Sequence, residues 1–276
     1  MRVGDVTARR AADRACTANL GEDEMTVIIY GDFNCPYSSL ASQRVDRLRK
    51  AGVAVDWRAV EHDRGLPATG LPSGSDQASW GRELAEVASL ALPGEPVPAG
   101  PPALISNTEA AVAAYAESVS DGVADELRGS LFRAIWAQGL NLSSPYEVRR
   151  LVTDLMWPHE DVTVRLASPD FPSLLLRDTD MTRIVRRSGG TIALNGVPLT
   201  TTGWRRVREW RREWLALPSQ VIPAVIGSDH IVRPGVEGLR YLAGLVGSAA
   251  LPASLPAHAG TAPGRDVGRA VAAEAA

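Results

Sequence analysis

The stretch that most constrains this chain is TVIIYGDFNCPYSS, Thr26 to Ser39. Thr26-Val27-Ile28-Ile29-Tyr30 is an unbroken β-branched and aromatic run, the pattern of a buried strand. Gly31-Asp32-Phe33-Asn34 reads as a turn. Cys35-Pro36-Tyr37-Ser38 then opens a helix, since Pro36 suits the first helical position, where a missing N–H costs nothing. Tyr37, Leu40, Ala41, Val45 and Leu48 recur at helical spacing, and Gly52 is a suitable stop. A cysteine therefore sits where a strand hands over to a helix N-terminus. Unpaired N–H groups and the helix dipole favour negative charge there. The expectation is a reactive thiol with its pKa drawn down from about 8.5 towards roughly 3.5–7.5.

The rest of the chain sets bounds on that thiol's role. At 276 residues, 45% of them apolar, there is material for one large domain or a domain with a big insertion. The formal net charge of −3 gives no reason to expect nucleic acid or an anionic membrane as partner. The only cysteines are Cys16 and Cys35, so there is no disulfide framework. No apolar run is long enough for a membrane span, and the N-terminus lacks an apolar signal core. A cytoplasmic location is the expectation. His62, His159, His230 and His258 are scattered without metal-ligand spacing, so no metal is expected. No phosphate-binding or dinucleotide glycine loop is present.

A strand, a turn with an acidic and an aromatic residue, then C-P-Y-S on a helix resembles the DsbA-like branch of the thioredoxin fold. That branch holds DsbA-type and FrnE-like oxidoreductases, 2-hydroxychromene-2-carboxylate isomerases and kappa-class glutathione transferases. The oxidoreductases usually carry C-P-Y-C, and the isomerases and transferases usually begin the motif with Ser. This chain has Cys first and Ser last, matching neither pattern in full. The resemblance implies an α/β, thioredoxin-like fold with a large helical insertion between the second and third strands. It also implies a cis-proline at the start of the third strand, facing the cysteine.

Those implications distribute along the chain as follows. Residues 1–24 read as a partly ordered extension. Residues 25–66 and 220–247 form a discontinuous thioredoxin-like domain, residues 67–219 a mostly helical insertion, and 248–276 a disordered Ala/Gly/Pro-rich tail. Val53 to Val60 alternates and reads as a second strand parallel to the first. Residues 64–76 are Gly/Pro/Ser-rich and mark a boundary. Trp80 to Leu92 has helical periodicity. Asn107-Thr108-Glu109 with the alanines up to Tyr115 resembles the family's N-T-x-x-A-x-x-A-Y helix, with Ser106 and Asn107 as N-cap candidates. Leu131 to Trp136 resembles its L-F-x-A-x-F segment, and Tyr115, Phe132 and Trp136 are assigned to core packing. Arg186 to Thr200 reads as a loop or short hairpin. WRRVREWRREWL, Trp204 to Leu215, reads as an amphipathic surface helix with Trp204, Val207, Trp214 and Leu215 on one face. Val221 to Gly227 is the third strand, with Ile222-Pro223 preferred over Gly196-Val197-Pro198 as the proline facing the thiol. His230-Ile231-Val232 is the fourth strand, and Val236 to Val246 the closing helix.

Catalysis is accordingly assigned to Cys35 and Ser38, and substrate binding to Pro36, Tyr37, Ile222 and Pro223. Ser38 cannot form an internal disulfide but can donate a hydrogen bond to a Cys35 thiolate. Cys35 alone can form a mixed disulfide or add to an electrophile. Three functions stay open: a single-cysteine DsbA-like oxidoreductase, a thiol-dependent isomerase or transferase, and a redox-inert binding protein, in that order. No tightly bound cofactor is expected. A low-molecular-weight thiol such as glutathione or mycothiol is the co-substrate candidate. The partner is a thiol/disulfide client or a small electrophile, and a homodimer is compatible with the chain.

Overall fold

The computed structural model describes residues 26–74, 77–156, 192–193 and 195–249. The N-terminal extension with Cys16, the stretch containing His159 and Arg186, and the tail beyond Ala249 lie outside the described residues.

Strand β1 (Val27–Gly31) runs into helix α1 (Pro36–Lys50). The chain returns through β2 (Val55–Ala59), which pairs parallel to β1 with Ile29 opposite Trp57 and Gly31 opposite Ala59. Short strands β3 (Leu71–Pro72) and β4 (Leu104–Ile105) form a separate antiparallel pair around helix α2 (Gln77–Leu90). Helices α3 (Glu109–Asp121), α4 (Ala124–Trp136), α5 (Pro145–Met156) and α6 (Thr201–Leu215) follow. The chain then re-enters the main sheet as β5 (Ala224–Ile226) and β6 (Val232–Pro234) and closes with α7 (Gly235–Ala249). The sheet order is β2-β1-β5-β6, with β5 and β6 antiparallel to their neighbours.

Side-chain alternation gives β1 and β2 two different faces. Ile29 and Trp57 point to the α4 side, where the Trp57 ring meets Phe132 edge-on at 5.8 Å. Tyr30 and Arg58 point the other way, and both hydrogen-bond to Glu213 of α6. Phe33, in the turn after β1, is fully buried against Tyr115 and Phe132. The aromatic residues of α3 and α4 thus pack on the turn that carries the cysteine. Arg44 of α1 is buried with Glu95, its Nη2 lying 3.0 Å from Oε2, and also donates to the Leu239 and Leu90 carbonyls. The ion pair fastens α1 to the loop after α2, and the bond to Leu239 fastens it to α7.

Several local expectations need correcting. The buried stripe of α6 is Gly203, Val207, Trp210 and Trp214, whereas Trp204 and Leu215 are exposed. Positions 203, 207, 210 and 214 keep the i, i+4, i+7 rhythm of one helix face, and 204 and 215 fall beside it. The N-cap of α3 is Thr108 rather than Ser106 or Asn107, with Asn107 Oδ1 accepting from the Glu109 N–H at 3.0 Å. The fourth strand starts at Val232, because His230 takes a left-handed φ of 57° and closes a turn onto the Gly227 carbonyl. The β3–β4 pair was not foreseen at all: strands of two residues carry no periodicity.

Candidate active site

Cys35 is the N-cap of α1, with extended backbone angles of φ −100° and ψ 122°. Its carbonyl accepts the Ser39 N–H at 3.1 Å, the first bond of the helix. Its Sγ faces across to the Ile222 carbonyl oxygen, 3.9 Å away. The Ile222–Pro223 peptide bond is cis, and the pairing of Tyr30 with Ala224 sets this segment beside the end of β1. Gly196-Val197-Pro198, the other candidate, instead forms an isolated bridge from Pro198 to Ile192. Pro36, Ile222 and Pro223 are buried around the thiol, and Cys35 itself is only 8% exposed.

Ser38 stands one helical turn after Cys35 and is fully buried. Its Oγ accepts the Asp32 N–H at 3.4 Å. Burial pushes the Cys35 thiol up to about 11. The Ser38 N–H and hydroxyl pull against that rise, the Asp32 charge adds to it, and the Tyr37 N–H opposes it. The expected acidification at the helix N-terminus is therefore overturned. Removing the sulfur from water outweighs the N–H groups aimed at it. Tyr37 is half-buried, and its hydroxyl donates to Glu86 Oε2 on α2 at 2.6 Å. Burial and that carboxylate hold the phenol above its ordinary pKa.

The sequence reading missed the residues that hold the turn. Asp32 is buried, with Oδ1 accepting from Thr108 Oγ1 at 2.6 Å. Its Oδ2 accepts from the His62 N–H at 2.9 Å and lies 2.8 Å from His62 Nδ1. Trp136 Nε1 donates to the Phe33 carbonyl at 2.9 Å, and Asn34 Nδ2 donates to the Ser106 carbonyl at 3.1 Å. Within the motif, Asn34 Oδ1 is a buried acceptor with no partner among the described residues. No spacing in the sequence links Asp32 to His62 or Thr108. The one usable signal is strand register: Gly31 opposite Ala59 carries the residues after β2 past the turn after β1.

A mixed sheet, a helix starting at a cysteine and a cis-proline segment facing that cysteine define a thioredoxin-like fold of the DsbA type. Residues 26–207 match the DSBA-like thioredoxin domain, and the chain belongs to that family. A probable DsbA oxidoreductase from Streptomyces coelicolor aligns at 17% identity and TM-score 0.51, over 87% of this chain and 100% of that one. The cytosolic disulfide reductase DsbM from Pseudomonas aeruginosa, solved with GSH, aligns at 14% identity and TM-score 0.48 over 82% and 100%. A 2-hydroxychromene-2-carboxylate isomerase aligns at 20% identity and TM-score 0.42 over 81% and 95%. No curated protein sequence matches. No helix among the described residues is long and apolar enough to cross a membrane.

Proposed function

We propose that this chain is a thiol–disulfide oxidoreductase that works through Cys35 alone. The observation that carries the reading is the placement of Cys35 Sγ at the start of α1, opposite the Ile222 carbonyl. Ser38, with its hydroxyl beside the sulfur, occupies the place a second thiol would need. In the first step the Cys35 thiolate attacks one sulfur of a disulfide. A Cys35–substrate disulfide forms, the old S–S bond breaks, and the other sulfur leaves as a thiolate that takes up a proton. A second thiolate then attacks the substrate sulfur, forming a new disulfide with it as the Cys35–substrate bond breaks, and Cys35 leaves as a thiolate. A low-molecular-weight thiol such as glutathione or mycothiol fits that second role, in a cytoplasmic setting, with no metal required. Pro36, Tyr37, Ile222 and Pro223 border the sulfur and bind the incoming chain. Residues 25–66 and 220–247 act as the thioredoxin-like domain and residues 67–219 as its insertion.

One observation favours a second reading, a thiol-dependent isomerase or transferase. Ser38 in place of a second thiol leaves Cys35 unable to close an internal disulfide, which suits chemistry without net redox change. Ser38→Cys separates the two. An oxidoreductase gains an internal disulfide and dithiol turnover in the variant, while the parent accumulates mixed disulfide at Cys35. An isomerase loses turnover when the variant is oxidised. Parent activity in a glutathione-dependent aromatic isomerisation, with no mixed disulfide at Cys35, would reverse the order of the two readings.

A further inference from the structure

We propose that His62 is a positioning residue for the Cys35 thiol, acting through the Asp32 turn and the Ser38 hydroxyl. The inference rests on the reading of Cys35 as the reacting group. It starts from the way Asp32 is held. Its two carboxylate oxygens take three hydrogen bonds, from Thr108 Oγ1, the His62 N–H and the His62 ring. All three donors come from outside the strand–turn–helix segment. Thr108 is the N-cap of α3, yet its side chain does not cap that helix; the hydroxyl is turned onto Asp32 instead.

Clamping the carboxylate also fixes the Asp32 backbone N–H, which reaches Ser38 Oγ at 3.4 Å. A hydroxyl that accepts on one side has its own proton left to donate. The Ser38 hydroxyl is within the surroundings of the Cys35 sulfur, where a donated proton favours the anion. Hydrogen bonds thus tie the His62 ring to the Asp32 carboxylate and the Asp32 N–H to Ser38 Oγ, the two joined through Asp32 itself, and Ser38 stands one helical turn from Cys35. Anchoring the loop after β2 does not by itself account for the imidazole. The His62 N–H already ties that loop to the same carboxylate oxygen, and the ring adds a second bond to it.

Charge acts in the same direction. Asp32 raises the thiol's pKa, so any group that binds and partly neutralises Asp32 favours the thiolate. Burial opposes protonation of His62, but the Asp32 bond and charge, then Asp63 and Glu83 of α2, outweigh it and raise the ring's pKa. Further charged groups near this corner are Glu86, beside Glu83 and Tyr37, and Glu61, set among Arg64, Glu109 of α3 and Arg211 of α6. Tyr37 is the further titratable group that senses Cys35.

The test is a double-mutant cycle on the full chain carrying Cys16→Ser, so that alkylation reads Cys35 alone. Iodoacetamide rates are taken from about pH 6 to about pH 10, a range that spans the ordinary imidazole and thiol pKa values. His62→Ala is expected to displace the profile towards higher pH, with rates at fixed pH about tenfold lower, equivalent to one pH unit. Ser38→Ala is expected to do the same. The double variant is expected to be little slower than either single one, because both break the same linkage through Asp32. His62→Gln keeps a donor for Asp32 and is expected to shift the profile less than His62→Ala. The proposal is overturned by a His62→Ala profile that superimposes on the parent's, by effects that multiply in the double variant, or by a Gln shift as large as that of Ala. Failure of parent and His62→Ala to alkylate anywhere in the range overturns it as well. Mixed-disulfide formation is scored separately by mass spectrometry. Its absence with a shifted alkylation profile removes the oxidoreductase reading and leaves the role of His62 standing. Its presence with an unshifted profile does the reverse.

Discussion

Cys35 Sγ and the Ile222 carbonyl oxygen lie 3.9 Å apart, although 187 positions separate them in sequence. The geometry is that of an S–H donor and a carbonyl acceptor, and such a bond stabilises the protonated thiol. It works together with burial, which holds the thiol near 11. On the proposed function, the resting protein keeps its nucleophile neutral. An incoming substrate that takes over the Ile222 carbonyl would release that restraint.

The first prediction concerns the resting thiol. Alkylation of Cys35 in the parent protein is expected to be slow at neutral pH and to climb with pH towards about 11. Peptide-resolved mass spectrometry of a pH series measures it. A plateau reached below the pKa of a free thiol would show that Sγ leaves the Ile222 carbonyl in solution.

Gly31→Ala is expected to destabilise the fold and disturb the site together. A Cβ at this position would lie 2.6 Å from Trp57 Cζ2 and 3.2 Å from Ser38 Oγ. Trp57 is fully buried between Phe132 and Arg128, so it has nowhere to move. Overpacking of this kind costs about 1–3 kcal/mol. The urea midpoint should fall, and the Cys35 alkylation rate should change because Ser38 is pushed aside. An unchanged midpoint would mean that the strand can shift away from Trp57.

Arg44→Leu tests the ion pair that anchors α1. Glu95 would be left buried with, of its ion pairs, only the longer 3.9 Å contact to Arg47 Nη1, and the Leu239 and Leu90 carbonyls would lose their donor. Breaking one side of a buried pair costs about 3–5 kcal/mol. Adding Glu95→Leu should recover part of that loss, since no buried charge then remains. Chemical denaturation of the two variants decides it, and a double variant no more stable than Arg44→Leu would refute the account.

His62 offers a pH-dependent readout of stability. Its folded-state pKa is raised, so its contribution is full below the unfolded value of about 6.5 and is lost as pH rises through the folded value. The melting temperature of the parent should therefore exceed that of His62→Gln most clearly in mild acid. The gap should narrow as pH rises. The ring is 39% exposed, so solvent screening keeps the effect modest. A gap that widens with pH would contradict the assigned direction.

Different parts of the structure were legible in the sequence to different degrees, for physical reasons. The β1–α1 unit was legible because its signals are local: a β-branched run, a turn, Pro36 at the first helical position. The third strand was legible through the apolar run around Pro223, although a proline in a strand reads as an argument against one. The thiol's charge state was not legible. The helix N-terminus is a local feature, whereas burial depends on distant segments, among them the one that brings the Ile222 carbonyl to the sulfur. Asp32 was visible only as a turn residue, because its partners sit 30 and 76 positions away in His62 and Thr108. The N-cap of α6 was hidden differently. Thr200 to Thr202 looked merely polar, yet Thr200 Oγ1 accepts the Gly203 N–H at 3.0 Å and both its N–H and hydroxyl serve the buried Glu117.

The long sequence gap between Cys35 and Ile222 also bears on how the protein is made. Synthesis runs from the N-terminus, so the cysteine leaves the ribosome well before the segment that covers it. Until Ile222 and Pro223 emerge and dock, they do not shield the sulfur, and the desolvation that raises its pKa is incomplete. The nascent thiol is then closer to an ordinary free one, more ionised and more open to oxidants than in the finished protein. Docking the segment before β5 over the site therefore quenches a reactive group as well as extending a sheet, and the unfinished chain is the form most exposed to oxidative damage.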